Sequence, residues 1–232
     1  MQKQNEHFNE VLNLCEKNFS HDELICFLKN GSLIERQHAA LNLQCVKSTE
    51  EATILMSNLV GIDGKIREAA ALKISELTEK SPELFFDKKN YELFSNATID
   101  IDGNVCRLAI SAAYNLAENK DFALFYAQSM INIIFEALEE ISKFTFKDKK
   151  YKINKQIFKI YWCLEALILF YNFADINELK TVIKKCSELQ EYTVREKCAK
   201  ILNKIPLDND LETIKIKLKT DENYYVRNIL NN

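Results

Sequence analysis

The sequence predicts an all-α protein, and three observations carry that prediction. Breakers are scarce: 232 residues hold four Gly and two Pro, where average usage of about 12% would give several times as many. Tight β-turns and the phosphate cradles of Rossmann and P-loop folds both need glycine, so those folds are excluded. Apolar residues recur at spacings of three and four almost throughout, which is the period of an amphipathic helix. Helix-entry signals interrupt those runs at short intervals.

Taken in order, residues 1–19 are expected to form an N-terminal capping helix. Ser20, with Glu23 three residues on, makes a capping box for a helix over HDELICFLK. Gly31-Ser32 ends that helix and opens LIERQHAALNLQCV. Ser48-Thr49 opens EEATILMSNLV, which Gly61 closes. Asp63-Gly64 opens KIREAAALKISELTEK. Ser81-Pro82 reads as an N-cap followed by proline at the first helical position. Asp102-Gly103 opens NVCRLAISAAYNLAE. Long helices are predicted near 121–143 and 154–173, then shorter ones near 176–189, 192–204, 209–219 and 222–230, about twelve in all. The Lys-rich segment 144–155 is predicted to be an interhelical loop. No shift in composition marks a second domain, so residues 1–232 are expected to form a single one.

An internal repeat runs through these helices. IREAAALKISEL at 66–77 places an aliphatic first, Arg67 second, and small or apolar residues at 70, 74 and 77. VREKCAKILNKI at 194–205 fits the same template through Val194, Arg195, Cys198, Leu202 and Ile205. ERQHAALNLQCV at 35–46 fits with Arg36, Ala39, Leu43 and Val46. VCRLAISAAYNL at 105–116 fits with Val105, Ala109, Ala113 and Leu116, but its Arg107 comes one place late. The chain has only five arginines, the fifth being Arg227, and all lie at or beside the same template position. Their separations are 31, 40, 88 and 32 residues. The gap of 88 spans about two units, and Trp162, Cys163, Ala166, Phe170 and Phe173 supply the one without Arg. Template positions 1, 5, 9 and 12 share one helix face, and a small residue at position 5 lets a partner helix approach. A cation in the first turn gains nothing from the helix dipole. The recurrent arginine is therefore expected to form a structural ladder of bidentate hydrogen bonds to a carboxylate or carbonyl. Asp63 for Arg67, and Asp102 or Asn104 for Arg107, are the candidate acceptors.

The pattern resembles the second helix of HEAT repeats, in which an Asp or Asn turn leads into Val-Arg-x-x-Ala-x-x-x-Leu-x-x-Leu. Asp63 and Asn104 match the turn position, and Glu191 matches it more loosely. The resemblance covers most of residues 20–232 and implies a right-handed α-α superhelix, a HEAT-like (armadillo-like) solenoid of about six helix pairs. Such solenoids bind partners on a concave face, which in HEAT proteins the second helices line. The resemblance therefore implies a non-enzymatic scaffold that binds another protein. The outward positions of the template would make the contacts: Gln37, Gln44, Glu68, Ser75, Ser111, Tyr114, Glu196 and Lys200.

The remaining features are weighed against catalysis and other ligands. Of the three histidines, His7, His21 and His38, none has a second ligand at i+4, and a metal site needs three or four. No metal, cofactor or small-molecule substrate is expected. The carboxylate pairs Glu50-Glu51, Glu139-Glu140 and Asp100/Asp102 read as solvated helix ends. The seven cysteines form no C-x-x-C; Cys15, Cys26, Cys45, Cys163 and Cys198 fall at core spacing and read as small hydrophobes. The opening MQKQNEHFNE lacks the apolar stretch of a signal peptide, and no apolar run approaches membrane length. A cytoplasmic protein with reduced thiols is expected. The formal charge is -3, which argues against nucleic acid. Lys147, Lys149, Lys150, Lys152 and Lys155, with Phe144, Phe146 and Tyr151 close by, are the one basic-aromatic run. Two alternatives stand beside the scaffold reading. One is a bacterial immunity or antitoxin protein, suggested by small size, mild acidity and abundant Lys, Asn and Ile. The other is an enzyme, since some proteins resembling this fold are DNA alkylation glycosylases and others bilin lyases. The glycosylases use a basic groove with Trp and Asp, which the charge and the lone Trp162 argue against.

Overall fold

A computed structural model describes residues 11, 12, 14–144 and 146–231. The chain divides into two compact units, residues 1–116 and 117–232. The first unit contains α1 (His21–Asn30), α2 (Leu33–Asn42), α3 (Thr49–Met56), α4 (Gly64–Lys80), α5 (Lys88–Thr98) and α6 (Gly103–Asn115). Short 3-10 turns at Ser57–Leu59 and Pro82–Phe85 follow α3 and α4. The first helices of each pair, α1, α3 and α5, pack in one layer, and the second helices, α2, α4 and α6, pack side by side in the other.

The second unit repeats this plan with α7 (Lys120–Ser142), α8 (Phe146–Phe170), α9 (Ile176–Cys186), α10 (Tyr192–Leu202), α11 (Asn209–Lys219) and α12 (Tyr224–Asn231). Here α7, α9 and α11 form one layer and α8, α10 and α12 the other. Over the described residues this is the all-α succession of six helix pairs that the sequence predicts, with no strand.

Local chemistry sets the boundaries. Ser20 and Ser32 both form complete capping boxes, with Glu23 and Glu35. Ser48, Asp63, Asp87, Asp102, Asn119, Asp175, Glu191 and Asp208 each accept a first-turn backbone N–H. Each such cap satisfies at least one orphan donor, two at Asp63 and Asp175, and contributes about 1 kcal/mol. The template's inward positions are buried: Ala39, Ala70 and Cys198 are fully enclosed, and Leu43, Ile74, Ala113 and Leu202 lie at 0 to 1% exposure. Among the described residues no helix is long and apolar enough to cross a membrane.

Four expectations are corrected by the structure or fall outside it. The helix expected over 33–46 stops at Asn42, because Leu43 turns to an extended conformation that drops its side chain into the core. Gln44 consequently sits in an extended segment, its amide donating to the Asn42 carbonyl at 3.0 Å. Pro82 opens a single 3-10 turn, and α5 begins only after the Asp87 cap. The Lys-rich segment 144–155 is not a loop: α8 starts at Phe146. Lysine is a good helix former and no Gly or Pro interrupts the run, while Ile153 anchors it at 5% exposure. The capping helix expected over 1–19 falls largely on residues outside the described ones, as does His7; Val11, Leu12, Leu14 and Cys15 are helical.

Candidate functional site

The arginine ladder is built in two matching clasps. Arg67, near the start of α4, donates through Nη1 to the carbonyls of Gly61 and Ile62, six and five residues earlier, at 2.8 and 3.2 Å. Its Nε and Nη2 donate to the two oxygens of Asp100 at 2.6 and 3.1 Å. Arg195 on α10 repeats this geometry. Nη1 donates to Leu189 and Gln190 at 2.9 and 2.6 Å, and Nε and Nη2 donate to Asp221 at 2.7 and 3.0 Å. Each guanidinium thus ties its own entry turn to the turn of the next helix pair within its unit. Both arginines are buried and both aspartates half-buried, so these charge-assisted bidentate pairs are largely shielded from water. Asp100 and Asp221 also accept the backbone N–H two residues on, at 2.8 Å in both turns.

The acceptors differ from those expected. Asp63 spends its carboxylate on the first turn of α4, accepting from Lys65 and Ile66. Asp102 does the same for Asn104. The partner of Arg67 is Asp100, 33 residues downstream. Arg36 keeps one rung, donating through Nε to the Gly31 carbonyl at 2.9 Å. Counting back two residues from the cap, the position that holds Asp100 and Asp221 holds Gly61 in the turn after Arg36, so that turn offers no carboxylate. Gly61 has φ +131°, a region L side chains avoid. Arg107 leaves the ladder. Its one-residue delay turns it to the exposed side of α6, and Cys106 occupies the ladder position, donating Sγ–H to the Asp100 carbonyl six residues back at 3.1 Å.

The outward positions of the first unit converge on one surface. Gln37 and Leu41 of α2, Lys65, Glu68 and Leu72 of α4, and Asn104, Arg107 and Leu108 of α6 line a shallow depression of about 270 Å³. Beside it a cleft of about 660 Å³ runs past Leu33, Ile34, His38, Asp63 and Asp102. Polar rungs cross the face: Asn104 donates to Glu68 at 3.0 Å, and Ser75 and Ser111 share a hydrogen bond at 3.2 Å. Tyr114 lies one turn beyond Ser111 and is exposed. Leu41 and Leu72, which line the depression, remain 45% and 40% exposed. Sequence reasoning missed these two leucines because helical periodicity assigns leucine inward. In the second unit, Glu196 and Lys200 bond each other at 2.7 Å across one turn of α10.

Neighbouring titratable groups are accounted for structurally. His21 Nε2 lies 2.9 Å from Glu51, which also accepts the Lys47 N–H at 2.7 Å. Glu139 and Glu140 both reach Lys143, at 2.9 and 2.8 Å. Lys197 is buried, 2.7 Å from Glu165 and over the Tyr161 ring. Burial pushes this ammonium toward neutrality, but the Glu165 carboxylate outweighs it and raises the pKa, which favours the charged form. Trp162 is half-buried beside Phe158 and Tyr161, its indole N–H without a partner among the described residues. Among the described residues, no three His, Cys, Asp or Glu side chains converge to hold a metal ion. Cys163 and Cys198 are buried as expected, whereas Cys15, Cys26 and Cys45 are exposed.

No protein-family model matches the chain, and no curated protein matches its sequence. Solved structures do resemble it. An engineered protein from the Northeast Structural Genomics Consortium is 13% identical, with a TM-score of 0.52 over 92% of this chain and 94% of that one. A designed armadillo repeat protein is 13% identical, with a TM-score of 0.47 over 91% and 97%. An archaeal HEAT-like repeats protein from Thermococcus onnurineus NA1 is 11% identical, with a TM-score of 0.41 over 93% and 96%. At such identities a likeness concerns the fold alone, and the first of the three extends it over nearly the whole chain.

Proposed function

We propose that this protein is a non-enzymatic interaction module that binds another protein on the second-helix face of its first unit. The observation that carries the reading is the exposure of Leu41 and Leu72 in a depression that Gln37, Lys65, Glu68, Asn104 and Arg107 also line. Apolar centres with polar rims are the usual anatomy of protein interfaces. Gln37, Glu68, Ser75, Ser111 and Tyr114 are the proposed rim contacts; Glu196 and Lys200 belong to the second unit and are not assigned to this face. Gln44 is dropped from that set because it no longer lies on a helix. The acidic groups Asp63, Glu68 and Asp102 beside the face disfavour a phosphate backbone as the ligand.

The test is affinity capture with the full chain from its native host, in parallel with Leu41→Glu and Leu72→Glu variants of unchanged melting temperature. A partner retained by the wild type and released by both variants supports the face. If every retained protein binds the variants equally, the assignment is wrong.

A further inference from the structure

The two clasps share their hydrogen bonds but not the residue in front of each cap. In the first unit that residue is Ile62 before the Asp63 cap and Ile101 before the Asp102 cap. In the second unit it is Gln190 before Glu191 and Glu222 before Asn223. The positions are equivalent: the Glu222 carbonyl accepts from Arg227 at 2.8 Å as that of Ile62 accepts from Arg67 at 3.2 Å. The clasp geometry therefore does not demand an aliphatic there. An aliphatic residue ahead of a cap ordinarily packs on the fourth residue of its helix as a hydrophobic staple. Here those fourth residues are Arg67, held in its clasp, and Cys106, bonded to the Asp100 carbonyl. Exposures of 104% for Ile62 and 80% for Ile101 show that neither staple is made. One guanidinium fixes both turns, since Arg67 holds the Ile62 carbonyl and also Asp100, the neighbour of Ile101.

The charge beside these side chains has one dominant sign. Asp63, Glu68 and Asp102 line the adjoining cleft with exposed Leu33, and Lys65 is the lysine among them. Burial holds His38, in the same cleft, toward its neutral form. The hydrogen bonds that Asp63 and Asp102 accept all fall on Oδ1, which caps the helix, so Oδ2 of each is open among the described residues.

We propose that this entry-turn edge of the first unit docks a segment of a partner protein that bears Lys or Arg beside aliphatic side chains. The aliphatic groups cover Ile62 and Ile101, and the cations pair with Asp63 and Asp102. Neither isoleucine lines the depression that holds Leu41 and Leu72, so the edge goes beyond the face proposed above. An anionic membrane surface is disfavoured by the same carboxylates. A symmetric pairing of two copies through this edge would set those carboxylates against themselves.

The test follows the isoleucine δ1 methyl signals of the full chain. Ile62→Val and Ile101→Val assign the two, and Ile216→Val assigns exposed Ile216 of the second unit as comparator. The probes are a capped Leu-Lys peptide of helical period, its Leu-Glu twin, and vesicles of phosphatidylcholine with phosphatidylserine. The Leu-Lys peptide should move the Ile62 and Ile101 signals saturably, at a midpoint about tenfold below that of any Ile216 response. The Leu-Glu twin should leave them unmoved. Asp63→Asn/Asp102→Asn keeps both caps while removing both charges, and should raise the midpoint about fivefold. Leu72→Ser should leave it unchanged, which separates this edge from the face around Leu72. The proposal is overturned if Ile62 and Ile101 respond no more than Ile216, if the twin acts equally, if the double Asn variant binds as the wild type does, or if Leu72→Ser abolishes the response. It is overturned too if vesicles move the signals and the Leu-Lys peptide does not, or if dilution of the free chain moves them, because a membrane or a second copy would then cover the edge. Methyls already shielded from a dissolved paramagnetic complex in the free chain would overturn it as well, since the chain would then cover the edge itself.

Discussion

Asp221 concentrates much of the second unit's order in one side chain. It accepts both arms of Arg195 and the Asn223 N–H from a half-buried position. The Arg195 hydrogen bonds hold its carboxyl below the usual carboxylate range, against the opposing effect of burial. Removing one partner of a buried pair leaves an uncompensated charge, whereas removing both leaves none. Asp221→Ala is therefore expected to cost about 3 kcal/mol in urea unfolding at pH 7. The double variant Arg195→Leu/Asp221→Leu should cost less than the sum of its two singles. The pH dependence has a defined sign. A carboxyl lowered in the folded state stabilises fully above its unfolded value of about 3.9, and that stabilisation is lost as pH falls through the folded value. The gap in urea midpoint between wild type and Asp221→Ala should accordingly narrow between pH 7 and pH 3. The cysteines give a second residue-scale expectation. Burial first, and then the charge of Asp100, push the Cys106 thiol up to about 12. Cys198 is raised by its hydrogen bond with Cys186 and by burial. Since the thiolate is the reactive form, a disulfide reagent at neutral pH should label Cys15, Cys26 and Cys45 rapidly. The four buried thiols should react only in denaturant.

The second helices α2, α4, α6 and α10 do two jobs, entering through a capped turn and presenting one small residue, Ala39, Ala70, Ala109 or Cys198, where their neighbours come close. Ala70 fills that role in α4, which packs against both α2 and α6 and has no exposed surface at that position. Enlarging it pushes three helices apart without removing any hydrogen bond. Ala70→Leu is thus expected to destabilise the protein by about 2 kcal/mol through overpacking, read as a lower urea midpoint. The reverse change at exposed Leu72, Leu72→Ala, should shift the midpoint far less. Gly31 obeys a different constraint, since a Cβ there would lie 2.6 Å from the Phe27 carbonyl oxygen. That close approach, with the Ser32 capping box immediately after it, fixes how α1 hands over to α2.

Across the whole molecule, what the sequence made legible is what a single helix encodes. Caps at Ser20, Asp63 and Asp102, and inward positions such as Ala39, Ile74 and Leu202, depend on neighbours within a turn or two. The clasps were only half legible, because the Arg position is local while Asp100 and Asp221 lie 33 and 26 residues away across an intervening helix. A signal for them does exist in the aspartate two residues ahead of the Asp102 cap and of Asn223, but only the fold shows that both point at an arginine. Exposed Leu41 and Leu72 were invisible for the opposite reason: periodicity reports a helix's apolar content, not whether another layer covers it. That uncovered face supports a closing prediction. Residues 1–116 carry 17 acidic and 12 basic side chains, so a partner seated beside Glu68 should be steered by charge and held by apolar contact. Glu68→Arg is expected to slow association and to weaken its salt dependence, since steering is screened beyond about 10 Å at 0.1 M salt. Leu72→Glu is expected to speed dissociation instead, by placing a charge in the dry centre of the interface. Surface plasmon resonance with the captured partner separates the two effects. Equal changes in both rates for both variants would place the contact elsewhere on the protein.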